Sequence, residues 1–186
     1  MRLFLALDLP HDVREAIGRA RRELEPRLPG WRFTRAEGVH VTVRFLGEVE
    51  DARLAELGPR WERAALAATG PISLEVAGLG CFPSPRRPRV LWVGVAEDPD
   101  RGRLRALAAA VEREARAAGF APEERGFRPH ATLARAAGAG ASGPPEREWF
   151  FGRAWIESLT LFRSDLGPGG ARYTALATFP LGGAAA

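Results

Sequence analysis

A strand, a long amphipathic helix and a second strand carrying His-x-Thr occur twice in this 186-residue chain, and no other feature constrains its fold as strongly. In the first copy Arg2 precedes His40-Val41-Thr42 by 38 residues; in the second Arg89 precedes His130-Ala131-Thr132 by 41. Two nearly matching spacings mark a repeat at the level of a supersecondary unit. Within each unit the period of the apolar residues separates strand from helix. Residues 2 to 8 form a short apolar run, whereas Val13, Ile17, Ala20, Leu24 and Leu28 recur at helical spacing. From 39 to 46, Val39, Val41, Val43 and Phe45 alternate with His40, Thr42, Arg44 and Leu46, so one face is core and the other carries the chemistry.

Between the copies, Leu54, Leu57, Trp61 and Leu66 predict a helical region interrupted near Gly58-Pro59, and Ile72, Leu74 and Val76 a strand. In the second copy Val90 to Val95 reads as a strand and Asp98-Pro99 as a helix start. Leu104, Leu107, Val111 and Ala115 then keep helical spacing up to Gly119. Residues 136 to 147 are a Gly, Ala, Ser and Pro-rich loop near the second motif. Strands are expected at about 153–162 and 171–179, joined by a loop over 163–170, and the last five residues should fray. The expectation is an α+β protein with two antiparallel sheets, outer helices and a central groove where the histidine strands meet.

Side chains at i and i+2 of a strand share a face, so each motif sets an imidazole beside a hydroxyl. Imidazole titrates near neutrality, so one copy can donate a proton while the other accepts one, and the hydroxyls can hold phosphate oxygens. A lone histidine on a half-buried strand is usually structural. Two of the three histidines sharing one motif, with only His11 left over, point instead to a paired site.

Composition removes several classes of function. All 27 basic residues are arginine, so a lysyl-adenylate, a Schiff base and a Walker-type phosphate loop are excluded. No G-x-G-x-x-G follows a strand, and no nucleotide cofactor is expected. The single cysteine, Cys81, forbids an intramolecular disulfide and suits a reducing compartment. No apolar stretch approaches the roughly 20 residues of a membrane span. The expected setting is cytoplasmic. A net charge of +4 is compatible with a polyanionic ligand.

Four segments carry a resemblance: Arg2-Leu3-Phe4-Leu5-Ala6-Leu7, His40 through Val49, His130 through Arg135, and Gly170-Ala171-Arg172-Tyr173. From residue 2 to about 181 the chain resembles the LigT-type proteins of the two-histidine phosphoesterase superfamily. These are RNA 2′,3′-cyclic phosphodiesterases, also called 2′-5′ RNA ligases. The resemblance implies a single bilobal domain over 1–186, with pseudo-repeats at about 2–80 and 89–162 and a C-terminal strand at 171–179. It implies His40 and His130 as catalytic residues, with His40 as acid and His130 as base. Thr42, Thr132 and Arg135 are implied as substrate-binding, with no metal and no cofactor. The implied partner is RNA with a 2′,3′-cyclic phosphate end, tRNA fragments included; neither a membrane nor a second subunit is expected. Water would attack in line, the 3′ oxygen would leave, and reversal with a 5′-hydroxyl would join RNA without ATP.

Strict alternation sets Arg135 opposite His130, so it reaches the groove only if the strand ends or bulges near Ala134. Arg44 shares the parity of His40 and either lines the groove or is a solvated strand arginine. Three other functions compete. A non-catalytic RNA- or nucleotide-binding module would stack bases on Trp31, Phe33 and Trp149. A metal hydrolase would recruit Asp8 or Glu48, and a cysteine nucleophile would use Cys81 in its Gly-Cys-Phe-Pro turn.

Overall fold

The computed structural model describes residues 1–97, 102–138, 140–167 and 170–182. Strand β1 (Arg2–Asp8) buries Leu3, Leu5 and Leu7 on one face and Phe4 and Ala6 on the other, which is why it is an unbroken apolar run. Helix α1 (His11–Leu24) turns Val13, Ile17, Ala20 and Leu24 inward. It stops short of Leu28: a 3₁₀ turn over Glu25–Arg27 replaces the expected last turn, because Pro26 has no N–H to continue the ladder. Strands β2 (Trp31–Phe33) and β3 (His40–Glu48) follow.

Helix α2 (Leu54–Leu66) runs through Pro59, against the expected interruption. Leu57, Trp61, Ala64 and Ala65 on its inner face are all fully buried, and this packing outweighs the lost hydrogen bond. Strand β4 (Ile72–Phe82) is longer than its alternation predicts, since a register shift at Val76–Leu79 breaks the pattern. Strand β5 (Val90–Glu97) is as expected, whereas Asp98-Pro99 lies outside the described residues. Helix α3 (Arg103–Ala117) and strand β6 (His130–Ala136) complete the second unit.

The strand expected at 153–162 is two strands, β7 (Phe150–Ile156) and β8 (Ser158–Gly167), divided at Glu157. β7 pairs with β4 and β8 with β1, so the chain passes from one end of the sheet to the other half there. Apolar residues continue on both sides of Glu157 and hide the break. Residues 163–167 are strand rather than loop, in a hairpin with β9 (Gly170–Pro180). Of the C-terminal residues expected to fray, 183–186 lie outside the described ones.

In place of two sheets there is one antiparallel sheet, in the order β7-β4-β5-β6-β3-β1-β8-β9, with β2 also paired to β6. The halves join where β3 meets β6, two strands that would otherwise leave unpaired backbone edges at the centre. The helices tie the halves as well: α1 packs on β7 and α3 on β3. One apolar core runs through both halves.

Candidate active site

The join between β3 and β6 is a single residue pair, Val41 opposite Ala131. Each is the middle residue of its His-x-Thr. Both side chains are fully buried in the core, so His40, Thr42, His130 and Thr132 all project from the opposite face of the sheet. Antiparallel register places position 40 alongside 132 and position 42 alongside 130, and the two histidines therefore flank one local two-fold. All four residues are half-buried.

The imidazoles are held alike. Nδ1 of His40 is 2.9 Å from the Gly38 carbonyl oxygen and Nδ1 of His130 is 2.7 Å from that of Arg128. A carbonyl only accepts, so each Nδ1 carries the proton and donates, leaving Nε2 available for proton transfer. The surroundings differ. The His40 ring stacks on Phe4 at 4.7 Å and meets the edge of Tyr173 at 5.0 Å, with Phe162 at 6.0 Å. Burial among these rings lowers the His40 pKa from 6.5 to about 4; the Gly38 carbonyl and Asp8 oppose the shift, and Arg135 and His130 add to it. His130 meets the Phe82 ring edge-on at 5.1 Å.

Arg135 reaches the groove face by the route that alternation requires. The β5–β6 register shifts between Leu91 and Trp92, so that Leu133 is an extra residue, and Arg135 returns to the side of Thr132. The same irregularity in β3, where Leu5 pairs with Arg44 and Ala6 with Thr42, has the opposite effect on Arg44. Arg44 turns to the helix side, 9% exposed, with Nε 2.7 Å from Glu112 of α3 and further bonds to the Phe45 and Ala121 carbonyls. It neither lines the groove nor is solvated.

The residues of the competing functions are buried or otherwise engaged. Trp31, Phe33 and Trp149 are buried in the core, which removes the stacking surface they would have offered. Cys81 lies in β4 rather than a turn, and burial pushes its thiol pKa up, away from the reactive thiolate. Asp8 sits opposite His40 but pairs with Arg14 at 2.8 Å, and Glu48 lies 3.6 Å from the Met1 amino group. Among the described residues no group of three or more His, Cys, Asp or Glu side chains is placed to hold a metal ion. His11 lines a surface concavity on α1 with Arg14, Glu15 and Arg19.

What the motifs did not disclose is the aromatic wall. Phe4, Phe45, Phe162 and Tyr173 surround the His40 side, and Phe82 and Trp92 the His130 side. Gly80 serves this wall: a Cβ there would lie 2.2 Å from the Trp92 ring, so only glycine leaves room for that ring, on the residue that pairs with Thr132 in the neighbouring strand. The spacing of Gly80 and Trp92 carries no signal, because the contact exists only through the β4–β5 pairing.

Residues 7–92 and 95–173 match the model of the LigT-like phosphoesterases. The chain is 36% identical to an RNA 2′,3′-cyclic phosphodiesterase of Thermus thermophilus, over 98% of this chain and 91% of that one. A second relative of the same description, from Aeropyrum pernix, is 47% identical over 103 residues, a match spanning 55% of this chain and 56% of that protein. The solved structure of Escherichia coli LigT complexed with 3′-AMP superposes with a TM-score of 0.77 at 30% identity, covering 97% of both chains. The chain belongs to the LigT-like phosphoesterase family.

Proposed function

We propose that the groove hydrolyses RNA 2′,3′-cyclic phosphate ends to 2′-phosphates by paired histidine catalysis. The observation that carries this reading is the pairing of Val41 with Ala131, which gathers both His-x-Thr motifs on one face. Two imidazoles about one two-fold flank a single phosphorus, and the relatives described as RNA 2′,3′-cyclic phosphodiesterases agree with it. His130 Nε2 takes a proton from water as its oxygen attacks phosphorus. The P–O3′ bond breaks in line, and His40 protonates the departing oxygen, leaving a 3′-hydroxyl and a 2′-phosphate. Thr42 and Thr132 hold the non-bridging oxygens, and Arg135 offsets the growing negative charge.

Burial adds a condition. His40 is neutral in the empty groove near pH 7, so it must gain its proton as the anionic phosphate arrives against it. The order of transfer is tested with a substrate whose bridging 3′ oxygen is sulfur. A thiolate leaves without an acid, so His40→Ala should recover most of its lost rate on that substrate while His130→Ala should not. The reverse pattern would exchange the two roles.

The same site run backwards, with a ribose 5′-hydroxyl in place of water, joins RNA ends without ATP, but water prevails by mass action. The repeat belongs to this reading too: residues 2–80 and 89–162 are taken as two copies within one bilobal domain. Support comes from the bulges, which fall at the same distance after each histidine. The enzyme is taken to act as a cytoplasmic monomer. The test of function is turnover of a cyclic phosphate-terminated oligonucleotide in EDTA by the wild type, His40→Ala and His130→Ala. Each alanine should cost 10²- to 10⁴-fold. Undiminished turnover in either variant would remove the mechanism.

A further inference from the structure

We propose that Arg32 is a second anion-binding residue of the groove, taking a phosphodiester of the RNA strand upstream of the terminal cyclic phosphate. The proposal rests on the phosphodiesterase reading and adds to it a preference for substrates of two or more nucleotides. β2 pairs with β6 so that Arg32 stands directly opposite Arg135. Its neighbours Trp31 and Phe33 are buried in the core, so Arg32 is exposed on the other face, the one that bears the histidines.

Its backbone is fixed at both ends of the strand. Ala137 N–H donates to the Gly30 carbonyl at 2.8 Å, Thr34 N–H to that of Leu133 at 2.8 Å, and Trp31 Nε1 to that of Ser142 at 2.9 Å. The three-residue strand is thereby tied to β6 and to the loop at Ser142, and it presents one guanidinium. Like charges directly opposite on a sheet repel. Arg14, Arg44, Arg63 and Arg147 each have a carboxylate partner, whereas Arg32 and Arg135 have none among the described residues. An anion between or beside them turns that repulsion into attraction. With Arg135 assigned to the terminal phosphate, the guanidinium beside it faces the next phosphate of the same strand.

The experiment compares two substrates in the wild type, Arg32→Gln and Arg32→Lys. One is a mononucleoside 2′,3′-cyclic phosphate with a 5′-hydroxyl; the other is a dinucleotide with the same end and one phosphodiester. Loss of a charge-assisted hydrogen bond should raise KM for the dinucleotide about tenfold in Arg32→Gln, with the mononucleotide changed less than about twofold and Arg32→Lys intermediate. An equal change on both substrates, or none on the dinucleotide, overturns the proposal.

Equilibrium titration with the corresponding 2′-phosphate products, which needs no turnover, decides the same question. Weakening confined to the dinucleotide supports Arg32; unchanged affinity refutes it. A wild type that binds both products and hydrolyses neither cyclic phosphate would overturn the phosphodiesterase reading while leaving the role of Arg32 to the titration.

Discussion

His40 and His130 share the His-x-Thr motif and the same kind of hydrogen bond to the carbonyl two residues before, yet their surroundings set them apart. Burial against the faces of Phe4 and Phe162 and the edge of Tyr173 disfavours a charge on His40, and its pKa falls to about 4. Because the unfolded chain binds this proton at the ordinary 6.5, acid favours unfolding. The contribution of His40 to stability is complete above pH 6.5, declines as the pH falls toward 4, and amounts to at most about 3 kcal/mol. Urea unfolding at pH 7 and pH 4.5 should therefore give a smaller difference in His40→Gln than in the wild type. An unchanged difference would show that the imidazole is not held neutral. On the binding side, a phosphate analogue should draw close to one proton from buffer near pH 7. Calorimetry in buffers of different ionisation enthalpy measures this, and zero uptake would contradict His40 as the acid.

At the scale of single elements, one extra residue decides which arginine reaches the groove. The bulge at Leu133 brings Arg135 to the histidine face, and the corresponding bulge in β3 sends Arg44 to Glu112 of α3. Arg44→Met should cost about 2 kcal/mol, less than a fully buried pair because Glu112 is partly exposed, and should leave kcat within about twofold. Thermal unfolding and steady-state rates check the two halves of that statement; a large fall in kcat at unchanged stability would return Arg44 to the site. Gly80→Val should displace the Trp92 ring and slow turnover without removing either histidine, read as a changed tryptophan emission alongside the rate. Alternation made the histidines and threonines legible because both precede the bulges. It misplaced Arg44 because periodicity carries no mark of an inserted residue, and it left Arg135 conditional for the same reason. Pro59 misled in the other direction, since the full burial of Leu57 and Trp61 that keeps α2 intact belongs to its partners, not to its own sequence.

For the molecule as a whole, the strand–helix–strand order was legible, but which strands become neighbours was not. Two sheets were the natural expectation from two units; the pairing of Val41 with Ala131 makes them one, and that pairing is also what builds the site. The passage of β7 and β8 into different halves has no local signature, because the apolar pattern continues across Glu157. The account of the whole enzyme needs no metal, so hydrolysis should be indifferent to EDTA and to added divalent ions. Inhibition by the chelator, reversed by a divalent ion, would favour metal-assisted attack. The most direct measurement is to give metal-stripped protein an oligonucleotide ending in a 2′,3′-cyclic phosphate and to locate the product phosphate by phosphorus NMR. The account predicts a 2′-phosphate, formed by the wild type and slowed by orders of magnitude in both histidine variants. A 3′-phosphate, or no conversion until a metal is restored, would contradict it.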